Sequence, residues 1–213
     1  MAMLDEKVRK QLQDILKNMK DPVNIAFFTQ EFECQACRDT RLFLDEFSPL
    51  SDKIKLSKYD FVKDKPTADS LGVDKIPAIV INDKENKDKG IKFYGLPGGY
   101  EINSFIISLL EVSGNIEPLT DDITSRIKAI TKDVHIQVFV TLTCPYCPAA
   151  VATVHRLAIE NKKIKADMID AGIFPLLTQK YQVSGVPRII INENHNMVGA
   201  QPIEKLLDVM EKL

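Results

Sequence analysis

The segment VFVTLTCPYC, residues 138–147, decides the fold of this chain because it joins a strand-forming run to a pair of cysteines. Its apolar, β-branched and aromatic start is typical of a buried strand, and helix-like sequence follows the second cysteine. The same order occurs earlier in the chain, where the run NIAFF at residues 24–28 leads to the sequence CQAC at residues 34–37. A strand, a Cys-x-x-Cys pair and a helix are therefore predicted twice.

The two cysteine pairs also keep the same distance to a later proline. Cys34 and Pro77 are 43 positions apart, as are Cys144 and Pro187, and an apolar run follows each proline. Between these anchors, a Lys-Ile-Lys triplet and an aspartate recur at an offset of 110 residues, with one residue of slack just before Cys34. Such a match indicates an internal repeat.

Each half of the chain predicts the element order αβαβαββα, which implies an α/β fold with a mixed sheet and helices on both faces. Glycine and proline interrupt helical sequence near Ser113–Pro118, and we therefore predict domains at 1–118 and 119–213. Each half is long enough to bury a core. The predicted helices are 4–19, 37–47, 64–71, 100–112, 120–130, 147–160, 173–181 and 203–211, and the predicted strands are 23–29, 54–60, 78–82, 91–94, 134–140, 164–170, 188–192 and 197–199.

The composition excludes several classes of protein. The 213 residues are 45% hydrophobic and 27% charged, as in an ordinary globular protein. A net charge of −2 gives no basic field to hold nucleic acid. The longest apolar runs, such as Phe105–Leu110, are far shorter than the roughly 20 residues of a membrane helix. The first residues lack the pattern of a secretory signal, so we expect a cytoplasmic protein.

All four cysteines lie in the two pairs, a pattern that indicates redox chemistry or a metal site in a reducing compartment. The first cysteine of each pair is predicted at a helix N-terminus, where free N–H groups and the helix dipole lower the pKa of a thiol. Pro145 is predicted as the first helical residue of the second site. Glu31 and Glu33 precede Cys34, whereas uncharged residues precede Cys144, so we expect the two sites to differ in thiol pKa and in reduction potential.

This arrangement of strand, Cys-x-x-Cys pair, helix and X-Pro step resembles the thioredoxin superfamily, and the sequence CPYC resembles the glutaredoxin motif. Two such units in one chain resemble the glutaredoxin-like protein disulfide oxidoreductases of thermophilic archaea and bacteria, over nearly the whole length. The resemblance implies two tandem thioredoxin-like units, each a mixed central sheet flanked by helices. The first unit carries the CQAC site and the second carries the CPYC site.

The resemblance also implies the activity and its residues. We expect exchange between thiols and protein disulfides, with a flavin-dependent thioredoxin reductase as electron donor and no organic cofactor or metal. Both prolines are expected to follow cis peptide bonds beside the cysteines, and the residue before each proline is expected to pair with a substrate strand. The implied catalytic residues are Cys34, Cys37, Cys144 and Cys147, and the implied substrate-binding residues are Ile76, Pro77, Val186 and Pro187.

The residues depart from the thioredoxin pattern at one position and leave two alternatives open. Thioredoxins carry a buried aspartate six residues before the first cysteine, where this chain has Phe28 and Val138. Paired thioredoxin-like units also occur in flavin-dependent peroxiredoxin reductases, which keep cysteines in only one unit and use it to shuttle electrons. Two Cys-x-x-Cys pairs also form Cys₄ zinc sites, although 107 positions separate Cys37 from Cys144 here.

Overall fold

A computed structural model describes residues 3–213 of the chain. These residues form two compact units, and two short segments of the first repeat are grouped with the second unit. The domain boundary after residue 118 stays a prediction. Within residues 3–213, no helix is both long enough and apolar enough to cross a lipid bilayer. The first unit comprises the described residues up to Asp88, Phe93–Leu96 and Leu109–Ile116, and the second comprises Lys89–Lys92, Pro97–Ser108 and Glu117–Leu213.

The first repeat contains the predicted series of elements. They are α1 (Glu6–Leu16), β1 (Val23–Thr29), α2 (Gln35–Phe47), β2 (Ile54–Asp60), α3 (Lys65–Ser70), β3 (Ala78–Asn82), β4 (Asp88–Tyr94) and α4 (Ile102–Val112), with 3₁₀ turns at Ser48–Leu50 and Gly99–Glu101. The strand order is β2-β1-β3-β4, and β1 runs parallel to β2 and antiparallel to β3. The predicted mixed sheet is therefore confirmed in this repeat.

The second repeat has the same architecture. Its elements are α5 (Asp121–Ala129), β5 (Val134–Val140), α6 (Cys147–Glu160), β6 (Ile164–Asp170), α7 (Pro175–Lys180), β7 (Arg188–Ile191), β8 (His195–Val198) and α8 (Ile203–Met210). The strand order is β6-β5-β7-β8, with β5 parallel to β6 and antiparallel to β7. Val134 lies opposite Ile164 just as Val23 lies opposite Ile54, so the repeat seen in the sequence is also a repeat of strand register.

The central strands β1 and β5 form the core of each unit and lead directly to the cysteines. Phe27 and Phe28 in β1, and Val138 and Phe139 in β5, are fully buried. Burying such a side chain stabilises the fold by about 1.5–3 kcal/mol. Because the carboxyl ends of these strands are held by packing on both faces, the cysteines that follow start from a fixed position.

Candidate active site

The first cysteine pair lies at the start of α2, as predicted. Cys34 and Cys37 form a disulfide with 5.2 Å between their Cα atoms. Cys34 is the N-cap residue of α2, and its sulfur accepts a hydrogen bond from the backbone N–H of Cys37 at 3.1 Å. Cys34 is half-buried, whereas Cys37 is fully buried. An external disulfide therefore reaches Cys34 first, at a position where N–H groups and the helix dipole stabilise a thiolate.

The second pair also forms a disulfide, with 5.5 Å between the Cα atoms of Cys144 and Cys147. Here α6 begins at Cys147, in agreement with the predicted bounds 147–160, and the placing of Pro145 at the first helical position is wrong because Pro145 lies before the helix. A helix beginning at Pro145 would need residue 148 to donate its N–H to the carbonyl of Cys144, and Pro148 has no N–H. Cys144 consequently lies before the helix and is 8% exposed, while Cys147 is fully buried within the first helical turn.

Both prolines predicted beside the cysteines follow cis peptide bonds, Ile76–Pro77 and Val186–Pro187. In the second unit, the sulfur of Cys144 lies 3.9 Å from the carbonyl oxygen of Val186. Each proline directly precedes a strand, and its carbonyl accepts an N–H from a later glycine at 3.1 and 2.8 Å respectively. Ile76 and Val186 are partly exposed, and their role in binding a substrate strand stays a prediction.

Glu101 is a buried carboxylic acid in the second unit that was not predicted from the sequence. It ends the 3₁₀ turn Gly99–Glu101, which packs against α6. The turn is also bonded to the segment before Cys144, because the N–H of Tyr100 donates to the carbonyl of Leu142 at 2.9 Å. The Glu101 side chain therefore lies in the part of the unit that carries the second cysteine pair, although Val138 occupies the thioredoxin aspartate position.

The environment of Glu101 favours its neutral form. Burial raises the pKa of this carboxyl to about 7, and the negative charge of Asp170 adds to the rise, against a lowering by Ser104. The Ser104 hydroxyl donates to one carboxyl oxygen at 2.5 Å, while the other has no hydrogen-bond partner among the described residues. Burial also raises the pKa of Asp170. A carboxyl with a pKa about 7 can both accept and release a proton near neutral pH.

Each cysteine pair is closed on itself rather than shared with the other. A Cys₄ zinc site requires four thiolates around one ion, whereas a sulfur in a disulfide is not a thiolate. Among residues 3–213, no group of three or more His, Cys, Asp and Glu side chains is arranged to hold a metal ion. The arrangement is that of two separate redox pairs.

Comparison with known proteins identifies one domain family and two solved structures that are similar to this chain. Residues 134–211 match the thioredoxin domain family. The structure is similar to the alkyl hydroperoxide reductase AhpF of Enterococcus faecalis (V583), with a TM-score of 0.92, 28% identity, and coverage of 97% of this chain and 99% of that chain. It is also similar to a protein disulfide oxidoreductase from Aeropyrum pernix K1, with a TM-score of 0.90, 28% identity, and coverage of 99% and 94%.

Curated sequences agree with these structures. The corresponding alkyl hydroperoxide reductase of Staphylococcus aureus (strain Mu50) is 25% identical over 99% of this chain, and NADH dehydrogenase of Bacillus subtilis (strain 168) is 24% identical over 97%. The chain spans 38% of the length of each of these two relatives. The prediction of two tandem thioredoxin-like units is confirmed, because the two solved structures match almost the whole chain.

Proposed function

We propose that this chain is a protein disulfide oxidoreductase with two redox sites, Cys34–Cys37 and Cys144–Cys147. One observation carries the proposal: each leading cysteine is nearer the surface than its fully buried partner, and a cis X-Pro step follows at the same chain distance. The similarity to the Aeropyrum pernix protein disulfide oxidoreductase supports the same activity. No organic cofactor is required, because the four sulfurs carry the electrons.

The exchange takes two steps at either site. In the second unit, the thiolate of Cys144 attacks a substrate disulfide, forms a mixed disulfide and releases one substrate sulfur as a thiolate, which takes up a proton. The thiolate of Cys147 then attacks the Cys144 sulfur, closes the disulfide seen here and releases the second substrate thiol. Two electrons and two protons pass from the enzyme to the substrate. In the reverse direction, the closed pair donates its disulfide to a dithiol.

Two groups of the second unit assist these steps. Cys147 is fully buried and must lose a proton before it attacks, and we assign the acceptance of this proton to Glu101, whose 3₁₀ turn packs against the helix that carries Cys147. The partly exposed backbone around Val186 and Pro187 holds the substrate chain beside Cys144, in the manner of an added β-strand. Ile76 and Pro77 have the same role at the first site.

The electron source completes the proposed cycle. Because the closed disulfides must be reduced again before another substrate disulfide is attacked, the cytoplasmic cycle needs a reductant, and we assign this to a flavin-dependent thioredoxin reductase. A second candidate function is supported by the AhpF structure, which matches 97% of this chain. In that case the two units pass electrons to one dedicated peroxiredoxin-type disulfide rather than to many protein disulfides.

The test is reduction of insulin by the wild type, the Cys34→Ser variant, the Cys144→Ser variant and the double variant. We expect each single variant to retain part of the activity and the double variant to fall to the uncatalysed rate, because it has no attacking thiolate. Full activity in the double variant would overturn the proposal. Pre-reduced chain that transfers electrons to an oxidised peroxiredoxin but not to insulin would favour the second candidate.

A further inference from the structure

An open groove of about 360 Å³ lies in the first unit, beside the first cysteine pair. One wall is the loop that leads into Cys34, and the other is the turn after β2. Two apolar side chains are exposed on these walls, Phe32 at 81% and Val62 at 72%. The groove therefore offers apolar surface next to the attacking sulfur. Its lining residues are Gln30, Glu31, Phe32, Glu33, Asp60, Val62 and Lys63.

The charge of this groove is predominantly negative. Three carboxylates line it, those of Glu31, Glu33 and Asp60, against the single ammonium group of Lys63. Asp60 accepts two backbone N–H groups at 2.9 and 3.0 Å, and these hydrogen bonds lower its pKa, so it is ionised at neutral pH. Glu31 forms an ion pair with Arg41 at 2.8 Å, but its side chain stays 58% exposed. An incoming positive charge thus meets two carboxylates that form no ion pair within residues 3–213, those of Glu33 and Asp60, beside the Glu31 carboxylate that Arg41 partly neutralises.

The loop that carries this surface is held in one shape. The side-chain amide of Gln30 donates to the carbonyl of Phe32 at 2.7 Å. Glu33 has a φ of 55°, in the left-handed region, and its backbone therefore turns sharply just before Cys34. The hydrogen bond and the turn restrict the backbone that carries Phe32 and Glu33 directly before Cys34, which reduces the entropy lost on binding.

Among the described residues, the second site has no equivalent group of carboxylates in the segment before its leading cysteine. The charge near it is that of Arg188, which donates to the carbonyl of Gln182 at 3.4 Å. The three residues before Cys144 are Thr141, Leu142 and Thr143, none of which is ionisable. A groove of about 490 Å³ ends at Ser184, two residues before Val186, and it contains no charged residue. Its lining residues are Ala171, Pro175, Thr178, Gln179, Gln182, Val183 and Ser184. The two redox sites thus differ in the charge of the adjacent groove.

We propose that the two sites select different protein disulfides. The Cys34 site prefers disulfides flanked by lysine or arginine and an apolar side chain, whereas the Cys144 site does not favour cationic flanks. This inference rests on the proposed function and names its substrate class. Carboxylates at the rim of a site accelerate the association of a cationic partner, and salt screens this effect.

The test uses two single-site chains. The first-site chain carries Cys144→Ser and Cys147→Ser, and the second-site chain carries Cys34→Ser and Cys37→Ser. Each is reduced with dithiothreitol, desalted and mixed with one of two disulfide peptides. The peptides are identical except that lysines flank one cysteine in the first and glutamates flank it in the second. Single-turnover rates are measured at low and at high salt.

We expect the first-site chain to reduce the lysine peptide about fivefold faster than the glutamate peptide at low salt, with the ratio falling towards one at high salt. The second-site chain should give a ratio near one. Glu33→Gln should lower the ratio of the first-site chain. Glu85→Gln is the matched control, because this exposed carboxylate lies in the turn after β3, at the opposite end of that strand from Pro77, and should leave the ratio unchanged.

Equal peptide ratios in the two single-site chains, or a first-site ratio unaffected by salt and by Glu33→Gln, would overturn the charge selection while the proposed function stands. If neither chain reduces either peptide faster than a variant lacking all four cysteines, the proposed function itself fails. The Glu33→Gln comparison is repeated in the chain with all four cysteines, so that the result does not depend on the folding of the serine variants.

Discussion

The backbone N–H of Tyr100 donates to the carbonyl oxygen of Leu142, two residues before Cys144, at 2.9 Å. This hydrogen bond joins the 3₁₀ turn that carries Glu101 to the segment that carries the second redox pair. Glu101 is buried, and no cation among residues 3–213 contributes to its pKa, which makes this a costly position for a carboxylate. Because its turn is bonded to the segment before Cys144 and packs against α6, we assign this buried acid a role in proton transfer.

Glu101→Gln tests this role. In the second-site chain, we expect reduction at pH 7 to slow by about tenfold or more, because the buried Cys147 loses its proton acceptor. The inflection near pH 7 in the wild-type rate should also disappear. The first-site chain carrying the same substitution is the control, and a similar loss of rate there would show that the change acts through the fold.

The same variant makes a prediction about stability. Glu101 has a pKa of about 7 when folded and an ordinary value of 4.5, so it favours the folded state below pH 4.5 and loses this contribution as the pH rises to 7. We expect the unfolding free energy of the wild type to fall by up to about 3 kcal/mol across this range relative to Glu101→Gln. Urea unfolding of both proteins between pH 4.5 and 7.5 measures the difference, and parallel pH curves would contradict it.

Gly99 and Gly199 provide a matched pair of substitutions. Both have a positive φ, but a Cβ at Gly99 would overlap the carbonyl of Leu142, whereas a Cβ at Gly199 meets nothing within 4 Å. We expect Gly199→Ala to cost about 1 kcal/mol for its backbone conformation and Gly99→Ala to cost at least about 2 kcal/mol. Chemical denaturation compares the two variants. Equal costs would mean that the segment before Cys144 moves aside freely.

The burial of His155 predicts that the free energy of unfolding falls in acid. It is fully buried, and burial lowers the pKa of its imidazole to about 3, despite the opposing effect of Asp167. The ring therefore stays neutral when folded, with Nδ1 2.9 Å from the Ser108 hydroxyl, but takes up a proton below pH 6.5 when unfolded. Its contribution to stability is present above pH 6.5 and is lost as the pH falls towards 3.

His155→Asn should remove this dependence, since an asparagine cannot be protonated there but still hydrogen-bonds with Ser108. Between pH 6 and pH 4, we expect the unfolding free energy of the wild type to decline more steeply than that of the variant, by about 1.4 kcal/mol per pH unit. Urea unfolding at several pH values measures both slopes. Identical slopes would show that His155 is already protonated in the folded state.

Local sequence was sufficient to predict most of the fold. The constant distance from the cysteines to Pro77 and Pro187 revealed the repeat, and the apolar runs predicted the strands of both repeats. This was possible because buried strands have a local hydrophobic pattern. The predicted bounds of α6, 147–160, agree with the structure, whereas the placing of Pro145 at the first helical position was wrong, because Pro148 conflicts with a helix beginning at Pro145. That conflict was also present in the sequence, as a missing N–H.

The buried acid of the second site could not be predicted in this way. Glu101 belongs to the sequence GGYE, which reads as a polar turn, and 43 positions separate it from Cys144. Its burial and its raised pKa arise from contacts with residues far along the chain, such as Asp170. The thioredoxin pattern pointed instead to Phe28 and Val138, which are apolar core residues here. A carboxyl supplied from a different element leaves no local signal.

The complete burial of Cys37 and Cys147 affects how the reduced cysteine pairs respond to oxidants. A peroxide or an alkylating agent that approaches either unit reaches the leading cysteine before the trailing one, because Cys37 and Cys147 have no exposed surface. If the leading sulfur is oxidised to a sulfenic acid, the hidden thiol beside it can condense with it and restore the closed disulfide before irreversible damage follows. Each pair can therefore reverse the first oxidation step of its own leading cysteine.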